Sequence, residues 1–352
     1  MTELHFSSDS IYDLQIDDEI WIGPHPYTIR KFTKGGMGIV IFAERNRALQ
    51  QEHSGFIHGH RVAIKAVLAS DDSTFADLFH RELTVWAGFD HPNIVGLNEI
   101  LHTQTDGCVA AMNWHEGSLR HFMDTHGPIS VGDALFILRD IISGLDHALQ
   151  SHNAMHLDLK PGNILYGSMV GFKCFYGHDT DPVKVIYERS KRLKNHPVRQ
   201  YAWQVSDWGL ASVKAYSQHK QTSNNRISTE IQTMNNRGTT AYMAPERFIQ
   251  GVQSSIASDM YAIGLLLFEM MIGKLPFQSQ NEDLIHEICS HDYFHSARAS
   301  LKDHRFERPV AEIILSLLAP DPSRRCSSYS ELLEKLANCG ETRSFLSRAF
   351  NL

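Results

Sequence analysis

His156–Leu157–Asp158–Leu159–Lys160–Pro161–Gly162–Asn163 is the stretch that decides how this sequence is read. A carboxylate, an amine two residues on and an amide five residues on share a segment that Pro161 and Gly162 turn tightly. Phosphoryl transfer needs these groups together: a carboxylate to orient the attacking hydroxyl, a cation on the moving phosphoryl group, and an oxygen ligand for a divalent metal. Downstream, Val205–Ser206–Asp207–Trp208–Gly209 follows a strand-like run and supplies a second carboxylate. Asp207 and Asn163 are hard oxygen donors, the kind that suits Mg²⁺, which binds through few protein ligands and keeps phosphate oxygens and waters for the rest.

Working back toward the N-terminus, Lys34–Gly35–Gly36–Met37–Gly38–Ile39–Val40 joins two strand patterns, Tyr27–Lys31 and Ile39–Ala43. Glycines let a backbone approach phosphates closely and present its N–H groups to them. The next strand, Val62–Ala63–Ile64–Lys65–Ala66–Val67, carries a lysine inside an apolar run, a costly place for an ammonium without a partner. Glu82, on a helix read over residues 74–88, is the candidate partner. Further strands are expected at Ile94–Leu97 and Val109–Met112. After Gly117 the pattern turns helical: Leu119–Met123, Val131–Gln150, Ser258–Gly273, Leu284–Ser290, Pro309–Leu318 and Ser330–Asn338. Residues 168–200 and 212–237 read as loops.

In this order the motifs resemble those of the eukaryotic-type protein kinase family, serine/threonine branch, over roughly residues 27 to 338. His91–Pro92–Asn93–Ile94–Val95, Gly238–Thr239–Thr240–Ala241–Tyr242–Met243–Ala244–Pro245–Glu246, Ser258–Asp259–Met260–Tyr261 and Asp321–Pro322–Ser323–Arg324–Arg325 resemble further family segments. The resemblance implies an α+β, bilobal kinase-like fold, with a small β-rich lobe holding one helix and a larger, mostly α-helical lobe. It divides the chain into an extension over 1–26, with Glu19–Ile22 a candidate strand, and a domain over 27–340. That domain has a small lobe at 27–112, a hinge near 112–116, a large lobe at 117–340 and an insert near 168–200; a tail covers 341–352.

ATP and Mg²⁺ are the implied cofactors, and serine or threonine hydroxyls of proteins the implied acceptors. Residue by residue, Asp158 orients the hydroxyl, Lys160 neutralises the phosphoryl group, and Asn163 and Asp207 hold Mg²⁺. Thr239 shapes the substrate site beside Asp158. Thr33, Gly35, Gly36 and Gly38 cover the phosphates, and Lys65, set by Glu82, binds them. Val40 and Ala63 lie above the adenine and Leu165 below it. Met112 is at the hinge, where either Ala111 or Met112 is the gatekeeper. Asp259 holds the catalytic-loop backbone, and Arg325 pairs with Glu246.

Four departures stand out. Thr33 replaces the first glycine of the family loop. Leu157 replaces the arginine that usually meets an activation-loop phosphate, which points to activity independent of such phosphorylation. Trp208 replaces a phenylalanine, and its indole N–H needs a partner. The insert is basic between Lys184 and Arg199, with Lys184, Arg189, Lys191, Arg192, Lys194 and Arg199 against Glu188 alone, and is a candidate docking segment for an acidic partner. Two other functions stay open: a small-molecule phosphotransferase of the aminoglycoside/choline-kinase type, which Leu157 and Trp208 suit, and a nucleotide-binding pseudokinase scaffold.

Composition narrows the rest. The chain has 352 residues, 42% hydrophobic, ample for a large core. A formal net charge of -7 gives no reason to expect a nucleic-acid partner. Five scattered cysteines, with no Cys-x-x-Cys, fit reduced thiols in a cytosol-like compartment, that of its own cell or of a host into which it is exported. No secretory signal pattern opens the sequence, and the longest apolar run, Ala262–Gly273, is too short to span a bilayer. None of the 21 histidines falls in a zinc-ligand pattern.

Overall fold

Alternation of apolar and polar residues builds the small lobe. Along β4 (Gly38–Arg45) buried positions alternate strictly with partly exposed ones, so one face of the strand lines a core. In this computed structural model the described residues are 2–35, 38–45, 61–67, 83–103, 107–168, 193, 195–208, 240–249, 251–252, 254–279 and 282–339. The small lobe also contains β1 (Leu4–Phe6), β2 (Glu19–Ile22), β3 (His25–Gly35), β5 (Arg61–Val67), β6 (Leu97–His102) and β7 (Cys108–Asn113). They form one seven-stranded antiparallel sheet in the order β1-β2-β3-β4-β5-β7-β6. The sheet curls until its two edge strands meet: Glu3 bridges His102, whose N–H donates to the Thr2 carbonyl at 3.2 Å. Ile20, Ile29, Ile41, Ile64, Leu101 and Val109 fill the enclosed core.

Here the fold departs from the sequence reading. The stretch set apart as an extension supplies two strands of the same sheet and contributes Leu4, Ile11 and Ile20 to its core. The strand expected at Ile94–Leu97 begins only at Leu97. Ile94 and Val95 instead pair with Val205 of the large lobe, through a bridge and a 2.9 Å bond from Val95 N–H to the Val205 carbonyl. Within the helix read over 74–88, residues 83–86 are helical and the chain turns at Ala87–Gly88; the part before Leu83 lies outside the described residues.

The large lobe holds α1 (Leu119–His126), α2 (Val131–His152), α3 (Ile256–Ile272), α4 (Glu282–Ser290), α5 (Asp292–Asp303), α6 (Arg308–Leu317) and α7 (Tyr329–Ala337). Caps set their ends. Ser118 and Ser130 accept from backbone N–H groups at the starts of α1 and α2, Ser255 and Ser258 form a reciprocal capping box on α3, and left-handed Gly273 ends it. Every α3 residue from Ala257 to Ile272 is buried, so this helix is the lobe's axis, and its buried Ser258, Asp259 and Glu269 side chains each have hydrogen-bond partners. α5 was not anticipated; few apolar residues, with Tyr293, Ala297 and Leu301 buried, mark its inner face.

A three-stranded sheet sits beneath the cleft: β8 (Gly117–Ser118), β9 (Ile164–Ser168) and β10 (Tyr201–Val205), in the order β10-β9-β8. β9 and β10 form a hairpin whose register pairs Ile164 with Val205. This pairing places Asn163, one residue before β9, against the Ser206–Asp207 segment that follows β10. Most of the insert lies outside the described residues, but its end is seated on the large lobe. Val198 is buried, and Arg199 donates to Asp133 at 2.6 Å and lies over the Phe136 ring. Arg199 is therefore committed inside the fold and drops out of the candidate docking segment.

Candidate active site

The hairpin, the loop before it and α3 together build the site. Asp259 is 1% exposed, and its carboxylate accepts from His156 N–H at 2.9 Å, from Leu157 N–H at 2.8 Å and from the Tyr329 hydroxyl at 2.9 Å. Leu157 is in the left-handed region, with φ of 63°, where a bulky residue costs about 1–2 kcal/mol. It is held there from both sides, by Asp259 at its N–H and by Arg247 at its carbonyl. His156 accepts from Asp158 N–H through Nδ1, so its Nε2 carries the proton and donates to the Ser206 carbonyl at 2.9 Å. One imidazole thus ties the loop to the segment that carries Asp207.

Within that frame Asp158 is the centre of a compact polar group. Lys160 Nζ donates to Asp158 Oδ2 at 2.9 Å. Asn163 Nδ2 donates to the Asp158 carbonyl at 2.9 Å and to Oδ2 at 3.2 Å, which turns its Oδ1 away from Asp158. The Ser206 N–H and hydroxyl both donate to the Asn163 carbonyl at 2.9 Å. Asp207, with φ of 66°, receives Lys65 Nζ on Oδ1 at 2.8 Å across the cleft. Burial pushes the Asp207 carboxyl up, but Lys65, then Lys160 and His156, outweigh it and hold the carboxyl below its ordinary value. An ionised Asp207 with Oδ2 outside the Lys65 bond, together with an Asn163 amide oxygen turned away from Asp158, is a donor set that fits Mg²⁺. The described residues contain no cluster of three or more His, Cys, Asp or Glu side chains able to hold a metal.

The residues expected to face a nucleotide lie where the small-lobe sheet meets β9. Lys65 pairs with Val40 across β4 and β5, Ala63 pairs with Met112 across β5 and β7, and Ala63, Val40, Met112 and Leu165 belong to one apolar cluster that crosses the cleft. Ala111, on the opposite face of β7, is packed in the small-lobe core. Thr33, Gly35 and Gly38 lie at the ends of the β3–β4 hairpin, with Gly35 opposite Gly38. Gly36, Glu82 and Thr239 lie outside the described residues.

Farther out, Arg325 grips Glu246 with two bonds, at 2.8 and 3.0 Å, as expected, and Ser258 adds a third to the same carboxylate at 3.0 Å. Trp208 is fully buried between Phe89 and His156, and its indole N–H finds no acceptor among the described residues. Sequence reasoning missed Arg247, Ser206 and Tyr329. Arg247 had a visible signal, a cation directly after Ala-Pro-Glu; the other two contribute one hydroxyl each and carry none. Among the described residues no helix is long and apolar enough to cross a membrane, and Cys108, Cys289, Cys326 and Cys339 are free thiols.

Known proteins resemble this chain in sequence and in fold. The sequence is 26% identical over 314 residues to the probable serine/threonine-protein kinase PknB of Lactococcus lactis, covering 84% of this chain and 42% of that protein. It is 27% identical over 308 residues to the serine/threonine-protein kinase PrkC of Bacillus subtilis, covering 86% of this chain and 39% of that one. The chain thus spans about two fifths of the length of these relatives. A crystal structure of Rad53 in complex with AMP-PNP superimposes with a TM-score of 0.58 at 22% identity, over 92% of this chain and 74% of that one, a likeness of fold. Residues 56–336 match the family described as protein kinase domain, and the chain belongs to that family, with the bilobal fold it implies.

Proposed function

We propose that the chain is an ATP-dependent protein kinase that transfers the γ-phosphate of MgATP to serine and threonine hydroxyls of proteins. The observation that carries this reading is the cluster in which Asp158 meets Lys160 and Asn163 while Asp207 meets Lys65. Asp158 lies where it can accept a hydroxyl's hydrogen bond and fix the direction of attack, a role worth about 10²–10⁴ in rate. Lys160 is close enough to hand its charge from Asp158 to a phosphoryl oxygen. Lys65 lies on the opposite wall and holds the phosphates from above. Asn163 and Asp207 would hold Mg²⁺, which would supply charge neutralisation to the phosphates. Protein rather than small-molecule acceptors are favoured by the Glu246–Arg325 pair, which anchors the segment after the activation loop, and by the relatives' names.

The basic stretch from Lys184 to Lys194 remains our candidate docking segment for an acidic partner, and the scattered thiols suit a reducing compartment. The test is incubation with labelled MgATP and a generic protein substrate, with Asp158→Ala as the control. Label on serine and threonine that disappears in the variant supports the proposal. Label only on a small hydroxyl compound, or binding without transfer, overturns it.

A further inference from the structure

Two buried polar side chains have no part in the chemistry above. Gln204, in the middle of β10, is fully buried, and His115, just past the end of β7, is 5% exposed. Gln204 Nε2 donates to the Pro92 carbonyl at 2.8 Å and to the Ile94 carbonyl at 3.2 Å. That fixes the amide, because a flipped one would aim its oxygen at two carbonyl oxygens. Gln204 Oε1 therefore faces His115 Nε2 at 2.5 Å, and Nδ1 of the same ring faces the Asn113 carbonyl at 2.9 Å. Both oxygens are acceptors, so a neutral ring serves one of them at a time. Burial pushes the His115 imidazolium toward the neutral form, against the pull of Gln204 and Asn113.

The pair joins three pieces of chain. His115 lies in the strand-to-strand connection that follows Met112. Pro92 and Ile94 lie in the turn that enters β6. Gln204 lies three residues before Asp207, and its backbone pairs with Leu165 on the cleft floor. The neighbouring bonds run the same way: Asn93 Nδ2 to the Trp203 carbonyl at 3.0 Å, and Val205 N–H to the Asn93 carbonyl at 2.8 Å. A leucine or methionine would fill the volume of Gln204 without an amide to desolvate, so packing alone does not call for a glutamine here.

We propose that His115 and Gln204 are positioning residues for Asp207. They form a buried relay that ties the strand carrying this metal ligand to the connection bordering the nucleotide cleft, and so set the separation between the base site and the cation site. This rests on the kinase reading of the cleft.

The test measures binding by the full chain: adenosine, ATP without Mg²⁺ and MgATP, each titrated into wild type, Gln204→Met, His115→Phe and the double variant. The relay predicts that each single variant weakens MgATP by about tenfold, the scale of one lost buried partner. Adenosine should stay within about twofold, and the double variant should be no worse than either single one. Equal losses for adenosine and MgATP, additive losses, or unchanged MgATP affinity would overturn it. If Gln204→Met does not fold, His115→Asn, which falls short of Gln204 without adding bulk, carries the same comparison. Because the readout is binding, a chain that transfers no phosphate yet shows the Mg²⁺-specific loss would sink the kinase proposal and keep the relay.

Discussion

Asp259→Asn is the substitution that asks most of this structure, because it changes one atom and leaves shape almost untouched. In the wild type Oδ2 accepts from His156 N–H and the Tyr329 hydroxyl, and Oδ1 accepts from Leu157 N–H. An asparagine must place its NH₂ at one of these positions. Placed toward His156, it meets that backbone N–H; placed toward Leu157, it meets the other. The second choice keeps two bonds, so Leu157 N–H is the group left bare, at about 1–3 kcal/mol. Leu157 then holds its left-handed conformation with Arg247 alone, against a conformational cost of about 1–2 kcal/mol. When that residue relaxes, Asp158 moves with it. A barrier higher by about 1–3 kcal/mol is a factor of about 5–150 in kcat. Steady-state kinetics at saturating MgATP should show this loss with the circular-dichroism spectrum unchanged. A folded Asp259→Asn enzyme with kcat within twofold of wild type would refute the idea that this carboxylate holds the catalytic loop.

Arg325→Ala leaves Glu246 buried without its cation and should cost about 3–5 kcal/mol in urea unfolding; a loss below about 1 kcal/mol would show that the pair is dispensable. Trp208→Phe removes a buried N–H that has no acceptor among the described residues, worth about 1–3 kcal/mol, and gives up some ring contact, so stability should hold or rise slightly; a drop beyond about 2 kcal/mol would mean the indole is bonded after all. His91 is held at about 4, first by burial and then by His147 stacked on it, below an ordinary value of 6.5. The unfolded chain therefore binds the extra proton first, so stability is intact above about pH 6.5 and declines as pH falls toward 4, by up to about 3 kcal/mol. Unfolding free energies of His91→Gln measured across that range should vary less with pH than wild type, and parallel curves would rule the histidine out.

The candidate catalytic group was legible because the chemistry proposed for it demands particular residue types at short spacing: Asp158, Lys160 and Asn163 lie within one turn of chain and could be read together. Asp207 was found by its own motif, but its meeting with Asn163 depends on a hairpin closed over a long insert, which no local pattern records. The Glu246–Arg325 and Asp259 contacts were reached through family resemblance; the residues themselves, far apart in sequence, gave no distance. What stayed hidden has a common cause. Arg247, Ser206 and Gln204 act through bonds to backbone groups of remote segments, Tyr329 and His115 through bonds to the remote side chains of Asp259 and Gln204, and any of them reads as an ordinary polar residue until the fold supplies its partner. Strand β1 escaped for another reason. Short strands are specified by the edge they complete, and that edge is built by residues later in the chain.

The meeting of the two edge strands at Glu3 and His102 bears on how the roof of the cleft moves. An open curled sheet can flatten or roll by sliding its outermost strands, with little resistance beyond packing. Once the edges are joined, the same motion must break the join, so the strands carrying Lys65, Val40 and Ala63 are constrained by residues on the far side of the lobe. Closing and opening of the cleft should then be carried by rotation of the whole small lobe on its connection to the large one rather than by distortion within it. The first strand also leaves the sheet fewer unpaired backbone groups to recruit a foreign strand. Residues 2–6, remote from every reacting atom, thereby act both as a brace for the nucleotide roof and as a guard against association.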